Sequence, residues 1–179
     1  IHLIAANHPL SGDMDGISGA DSICYKESKK FGWPNTFKAF LSSRWQDLRG
    51  LIKQGKNDYV TVLNGKNETL FDSLEDIFNG SEGKLVHKNF IYSFDGRDVL
   101  NDVVWPYKYV WHGSDKYGYQ KPENETCKYW SSSDPDKYAM VGNLSRKRIL
   151  SADKLSCWQR FALLCLEISQ NNGVLLGKK

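Results

Sequence analysis

The sequence predicts an α+β domain, and three observations carry that reading. Short runs of mixed apolar and β-branched residues recur between Gly, Pro and Asp punctuation. Only two stretches have helical character, so strands do not alternate with crossover helices as in a doubly wound sheet. The 179 residues contain no internal repeat or long linker, which fits one core of ordinary size.

The elements follow in order. Ile1 to Ala6 is read as a strand running into a turn at Pro9, with Ser11-Gly12-Asp13 as further punctuation. From Ala20 to Phe31 the less polar positions Ala20, Ile23, Cys24, Glu27 and Phe31 recur at spacings of three and four, while Lys26, Lys29 and Lys30 occupy other faces. This predicts an amphipathic helix with a cysteine on its inner stripe. Gly32 is its natural stop, and Pro34 prevents continuation. Phe37 to Leu41 alternates as a strand closed by Ser42-Ser43, and Tyr59 to Leu63 is a second β-branched run. Asp72 to Phe78 has the pattern of a short capped helix ended by Asn79-Gly80. Asn89 to Phe94 and Lys108 to His112 supply short strands. Phe161 to Ile168 is apolar on both faces except at Glu167, which places it inside a sheet. The tail from Gln170 to Lys179 is expected to fray.

Composition narrows the function. Hydrophobic residues make up 40% of the chain and charged residues 25%, which excludes a disordered polar tail. The longest apolar run, Phe161 to Leu166, is six residues, whereas a membrane-crossing helix needs about 20. No membrane insertion is expected. A net charge of +3 is too small for the field of a duplex nucleic-acid binder, and neither phosphate-cradling Gly-rich motif is present. Any polyanion partner therefore needs a local basic cluster. Three clusters are visible: Arg146-Lys147-Arg148, then Lys26, Lys29, Lys30 and Lys38, then Lys53 and Lys56. Arginine forks suit sulfate bidentately, and such binding weakens with salt.

Cys24, Cys127, Cys157 and Cys165 lack zinc-ligand spacing and are read as disulfides, with three pairings open. Four N-x-S/T sequons, at Asn67, Asn79, Asn124 and Asn143, point to the same oxidising, glycosylating compartment. The domain is expected to be secreted, and the start at Ile1 suggests release from a longer precursor. Among His2, His8, His87 and His112, only His112 sits in a polar knot, Trp111-His112-Gly113-Ser114-Asp115. A hydrolase would use Ser114 as nucleophile and His112 as base, but adjacent strand residues point to opposite faces. The favoured reading is a turn in which Ser114 and Asp115 satisfy local backbone groups and the imidazole packs against the sheet. No catalytic residue is assigned.

Several segments then become specific. Leu10-Ser11-Gly12-Asp13-Met14, Gly19-Ala20-Asp21, Phe37 to Arg44 and Gln46-Asp47-Leu48 closely resemble the endostatin family, the C-terminal domain of multiplexin collagens types XV and XVIII. Gly80-Ser81-Glu82-Gly83, Phe94 to Leu100, Trp105-Pro106, Val110 to Asp115 and Leu164 to Glu167 extend the likeness over residues 1 to 169. The resemblance implies a C-type lectin-like fold with a mixed, mostly antiparallel sheet and two main helices. It implies nested disulfides, Cys24 with Cys165 and Cys127 with Cys157. It further implies a non-catalytic basement-membrane collagen fragment that binds heparan sulfate proteoglycans, matrix proteins and cell-surface receptors such as integrins, modulating adhesion, migration or vessel growth. The isolated domain is expected as a monomer and its precursor as a homotrimer.

The departures are informative. Of the histidines and aspartate that hold zinc in the family, only His2 falls on a matching position, and Asn67 stands in the aspartate's place. A neutral amide is a poor zinc ligand, so no cofactor is expected. A glycan on Asn67 would obstruct the same corner. Asp15, Ser18 and Ser131 occupy positions that are arginines in the family. Lys38, Arg44, Lys53 and Arg148 fall on basic positions, and Lys128, Arg146 and Lys147 lie where they can compensate. The expectation is weaker heparan sulfate binding with a displaced footprint. The alternative is a structural C-terminal collagen module that has lost it. The calcium-site tripeptides of lectins are absent; Pro122-Glu123-Asn124 and Leu100-Asn101-Asp102 only echo them.

Overall fold

The computed structural model describes residues 1–52 and 59–168. Lys53, Lys56 and the tail from Gln170 lie outside them. Among the described residues, three antiparallel sheets organise the fold. The first joins β1 (Leu3–Ala5), β8 (Leu164–Ile168) and β2 (Thr36–Ala39) in the order β1-β8-β2. Leu166 lies opposite both Leu3 and Lys38, and Cys165 opposite both Ile4 and Ala39. The interior position expected for the apolar C-terminal run is thus observed.

Alternation explains why this sheet is apolar on both sides. Leu3, Ala5, Phe40, Leu164 and Leu166 enter one core, while Ile4, Ala6, Phe37, Ala39, Leu41, Leu163 and Cys165 enter another on the opposite face. Each large side chain buried there contributes about 1.5–3 kcal/mol. α1 (Gly16–Lys30) covers the second core with Ala20 and Cys24. It starts earlier than its periodicity suggested and ends one residue sooner. Phe31 is therefore a cap residue, 41% exposed, and the small Ser28 takes the inward position. Gly32, with φ of 80°, ends the helix as read.

The second sheet is the hairpin of β3 (Val62–Leu63) and β4 (Thr69–Phe71), and the third orders β5 (Tyr109–Trp111), β6 (Tyr138–Asn143) and β7 (Asp153–Ser156) as β5-β6-β7. Of the run from Tyr59, only Val62 and Leu63 are strand. The capped segment near Asp72 forms a 3-10 turn, Leu74–Ile77, rather than an α-helix. Ser73 and Asp76 close a reciprocal capping box at its start. Asn89 to Phe94 is not a strand. Its backbone is clipped between Ala5 on one side and the turn at Arg97 on the other, through Ala5 N–H to Tyr92 O at 2.9 Å and Ser93 N–H to Arg97 O at 2.9 Å, so no continuous ladder forms.

The nested disulfides Cys24–Cys165 and Cys127–Cys157 are present. The first staples α1 to the central strand. The second anchors α2 (Cys127–Trp130), a single turn in which Cys127, Lys128, Tyr129 and Trp130 all have positive φ, between 51° and 68°. Such a left-handed turn costs about 1–2 kcal/mol per non-glycine residue. It is held by the disulfide at one end and by buried Trp130 at the other, whose indole N–H donates to Ser42 O at 2.7 Å. Among the described residues, no helix is long and apolar enough to cross a membrane.

Candidate polyanion surface and amino-terminal corner

Basic residues are the first candidates. β6 ends in a 3-10 turn, Leu144–Arg146, whose start is capped by Asn143 Oδ1 accepting from Arg146 N–H at 3.2 Å. This turn exposes Arg146 and Lys147. The returning chain brings a second segment alongside: Leu85 N–H donates to Lys147 O at 2.8 Å, and Lys84 bridges Arg148. Lys88 and Lys147 flank one apolar cleft floored by Leu85, Phe90, Ile91 and Leu144. Lys88 and Lys147 thus share one cleft with exposed Arg146 beside them in the chain, while Lys84, on the paired segment, lines a separate cleft with Asp72 and Asp76; among the described residues none of the four has an acidic partner within ion-pair distance. Arg148 differs. Its guanidinium donates to Ser81 O at 3.1 Å and lies 3.5 Å from Glu82, so it ties the two segments together.

The remaining candidates lie on other elements. Lys38 lies on β2, where it faces the field of Asp21, whose carboxyl burial pushes up. Arg44 is exposed in the following loop, with its guanidinium 4.9 Å from the ring of Trp45, itself 86% exposed. Lys128 projects from the left-handed turn, and Lys53 is outside the described residues. Asp15 and Ser131 come together: Asp13 bridges Ser131 and Met14 N–H donates to Trp130 O at 2.9 Å, with Ser18 one turn into α1. Asp15 and Ser131 therefore lie on segments that meet, beside the first turn of α1 that carries Ser18, and this surface carries acid and hydroxyl groups. Lys84 and Lys88 escaped sequence reasoning because each stands alone in the chain; only the pairing with the β6 turn brings their segment beside Lys147.

His112 is fully buried and does not form a dyad. Its Nε2 lies 2.9 Å from Ser151 O, and its Nδ1 accepts from Ser114 N–H at 2.9 Å. Ser114 Oγ donates instead to Asp115 O and Tyr119 O, both at 3.0 Å. Asp115 Oδ1 accepts from Tyr117 N–H and Tyr119 N–H, so the segment is the turn expected. Burial pushes the imidazole down to about 4. A neutral ring with both nitrogens committed to backbone is a structural cross-brace.

The amino-terminal corner is the other polar cluster. His2 Nδ1 lies 2.9 Å from Glu167 Oε1, and Nε2 lies 2.7 Å from Asn67 Oδ1. Glu167 also accepts from His2 N–H at 3.2 Å and Asn35 Nδ2 at 3.1 Å, while the Ile1 ammonium donates to Thr61 O at 3.0 Å. The Glu167 hydrogen bond raises the His2 pKa against the opposing effect of burial. Burial alone would raise that of Glu167, but the bonds from His2 and Asn35 outweigh it and hold the carboxyl low. These residues do not fit zinc: both nitrogens of His2 are engaged, the third group is an amide, and among the described residues no three His, Cys, Asp or Glu side chains converge for a metal. Glu167 was invisible as the shared partner of His2 and Asn35 because 165 and 132 residues separate it from them and only the β1-β8-β2 order unites all three.

Of the sequon asparagines, Asn67, Asn79 and Asn124 are exposed and Asn143 is half-buried. A family model described as "Collagenase NC10 and Endostatin" matches residues 1–171. The human collagen alpha-1(XVIII) chain is 43% identical over 169 residues, which is 94% of this chain and 10% of that relative's length. The chain thus spans a tenth of the relative. Two nested disulfides, an α+β core and a match along nearly the whole chain lead to one conclusion: it belongs to the endostatin family of collagen domains.

Proposed function

We propose that this domain is a secreted, non-catalytic ligand of the extracellular matrix, on a C-type lectin-like fold, whose polyanion site for heparan sulfate has moved to the edge formed by Lys84, Lys88, Arg146 and Lys147. The observation that carries the reading is the meeting of Lys88 and Lys147, from two segments remote in sequence, on one cleft, with exposed Arg146 next in the chain and Lys84 on the paired segment. A sulfated chain laid along that edge meets several charges at once, which a lone surface lysine does not offer. Arg148 holds the platform, and Arg44 with Trp45 and Lys128 lie beyond it as secondary contacts. Matrix proteins and cell-surface receptors such as integrins are the accompanying protein partners, and a trimeric collagen precursor would multiply each contact into avidity.

One observation favours a second reading, a structural collagen terminus without polyanion binding. Asp15, Ser18 and Ser131 remove positive charge from one continuous surface, and Asp15 repels sulfate there. Retention on immobilised heparin across a sodium chloride gradient separates the two. The proposal expects elution above physiological salt, falling clearly in a variant with Ala at Lys84, Lys88, Arg146 and Lys147. Elution at or below physiological salt in both proteins rejects it in favour of the structural terminus.

A further inference from the structure

We infer that Asn67 carries an N-linked glycan whose first N-acetylglucosamine packs against the cleft of Trp33 and Tyr92, so that the sugar becomes part of the amino-terminal corner. The inference depends on secretion and not on polyanion binding.

The presenting turn is rigid. Asn64, fully buried, accepts from Lys66 N–H at 2.9 Å and Glu68 N–H at 3.0 Å through Oδ1, and its Nδ2 donates to Phe90 O at 2.8 Å. Asn67 follows in the left-handed conformation, φ 61°, with its N–H donating to Asn64 O at 3.1 Å, and is exposed at the tip of the β3-β4 hairpin. Its orientation is also fixed, because Oδ1 is held by His2 Nε2 at 2.7 Å. The amide nitrogen, the atom that bears the sugar, is left as the other arm of a locked side chain. The other exposed sequons lack such a brace: Asn79 Oδ1 bonds only within its own turn, to Ser81 N–H.

A receiving surface lies beside it. The ring of His2 sits 4.6 Å from that of Trp33, so Asn67 and Trp33 share a neighbour. Gly65 and Lys66, the residues just before Asn67, line a shallow open cleft together with Trp33, Tyr92 and Phe94. The C–H face of a pyranose and the methyl of its acetamido group carry weak positive charge and suit the negative face of an aromatic ring, while its hydroxyls remain in water. Gly65 keeps the approach open, and the Lys66 ammonium, 4.1 Å from the centre of the Tyr92 ring, covers that ring and offers a donor to sugar oxygens, so the stacking face is that of Trp33.

The modification itself is an ordinary transfer in the secretory pathway. Asn67 Nδ2 attacks the anomeric carbon of an oligosaccharide carried on a polyprenyl diphosphate. The carbon–nitrogen bond forms, the carbon–oxygen bond to phosphate breaks, the amide proton is lost, and the polyprenyl diphosphate leaves. Thr69 supplies the hydroxyl of the sequon.

The test uses the full chain secreted from a mammalian host. Glycopeptide mass spectrometry reads occupancy at Asn67, with Thr69→Ala as the variant that keeps Asn67 and its bond to His2 but removes the sequon. The acetamido methyl resonance of the first sugar is then compared between the folded protein and the glycopeptide released by proteolysis. The expected result is an occupied Asn67, lost in Thr69→Ala, and a methyl resonance moved upfield in the folded protein by the ring currents of Trp33. An unmodified Asn67 overturns the proposal, and so does an occupied Asn67 whose methyl resonates as in the free glycopeptide.

Discussion

Acidification provides a sharp test of the buried His112 brace. Protonating Nδ1 turns the acceptor of the Ser114 N–H into a second donor facing it, inside a site with no exposure. The imidazole is held near 4 in the folded state and returns to 6.5 when exposed, so between those values the unfolded chain binds more protons and stability falls as pH falls. The brace alone should therefore remove about 2 kcal/mol of unfolding free energy between pH 7.5 and pH 5, and about 3 kcal/mol by pH 4. Depressed carboxyl groups such as Glu167, Asp95 and Glu125 lose stability in the same direction at lower pH, and His2, whose pKa is raised, loses it as pH increases. Their effects cancel when the wild type is compared with His112→Gln, which has no titrating group at this position. Urea unfolding of both proteins at half-unit steps from pH 4 to 7.5 gives the difference directly. The variant should be the less stable protein at pH 7.5 and should close the gap as pH drops. Parallel curves would refute the reasoning, because they would mean that the ring is charged, or solvated, in the folded protein.

The left-handed turn gives an unusual stabilising substitution: Lys128→Gly removes a side chain from φ 52° and should raise stability by about 0.5–1 kcal/mol after the greater freedom of unfolded glycine is subtracted, read as a higher midpoint in chemical denaturation. Replacing Cys127 and Cys157 by Ser together opens a loop with a sequence separation of 30, which costs about 3–4 kcal/mol by chain entropy, and should also lower the near-ultraviolet signal of Trp130 as the turn relaxes. Ser73→Ala breaks the capping box at the 3-10 turn and should cost about 1 kcal/mol in thermal or urea unfolding. Gly113→Ala places a methyl group 2.7 Å from Trp130 Cζ2 at a φ of 66°, and should destabilise by more than Ser73→Ala in the same assay.

Legibility in the sequence followed the physics of each element. α1 and β8 were readable because one has a clear helical period and the other a continuous apolar run, whereas the pairing of their cysteines came only from the family resemblance. β6 was missed because four consecutive buried residues, Ala139 to Gly142, erase the alternation that marks a half-exposed strand. β7 was missed because Asp153 and Lys154 make it polar at an edge, where only pairing with β6 makes it a strand. The left-handed turn has no local signal, since Cys, Lys, Tyr and Trp do not favour positive φ; tertiary anchoring imposes it. The same split holds for the candidate site. Arg146 and Lys147 were visible as a cluster in the chain, whereas Lys88 meets Lys147 through the pairing of its segment with the β6 turn.

The placement of β8 between β1 and β2 has a consequence for biosynthesis. The two strands nearest the start of the sequence do not pair with each other; among the described strands each forms its ladder only with Leu164–Ile168, and Cys24 is bonded to Cys165. While the chain is being translated, the amino-terminal half therefore has an unfinished sheet and a free thiol. Both cores share that sheet, so neither can close before those last residues leave the ribosome. Folding must be a late, collective event of high contact order, and a chain halted short of Cys165 would present two open strand edges and a reactive cysteine to the quality-control machinery rather than a half-built domain.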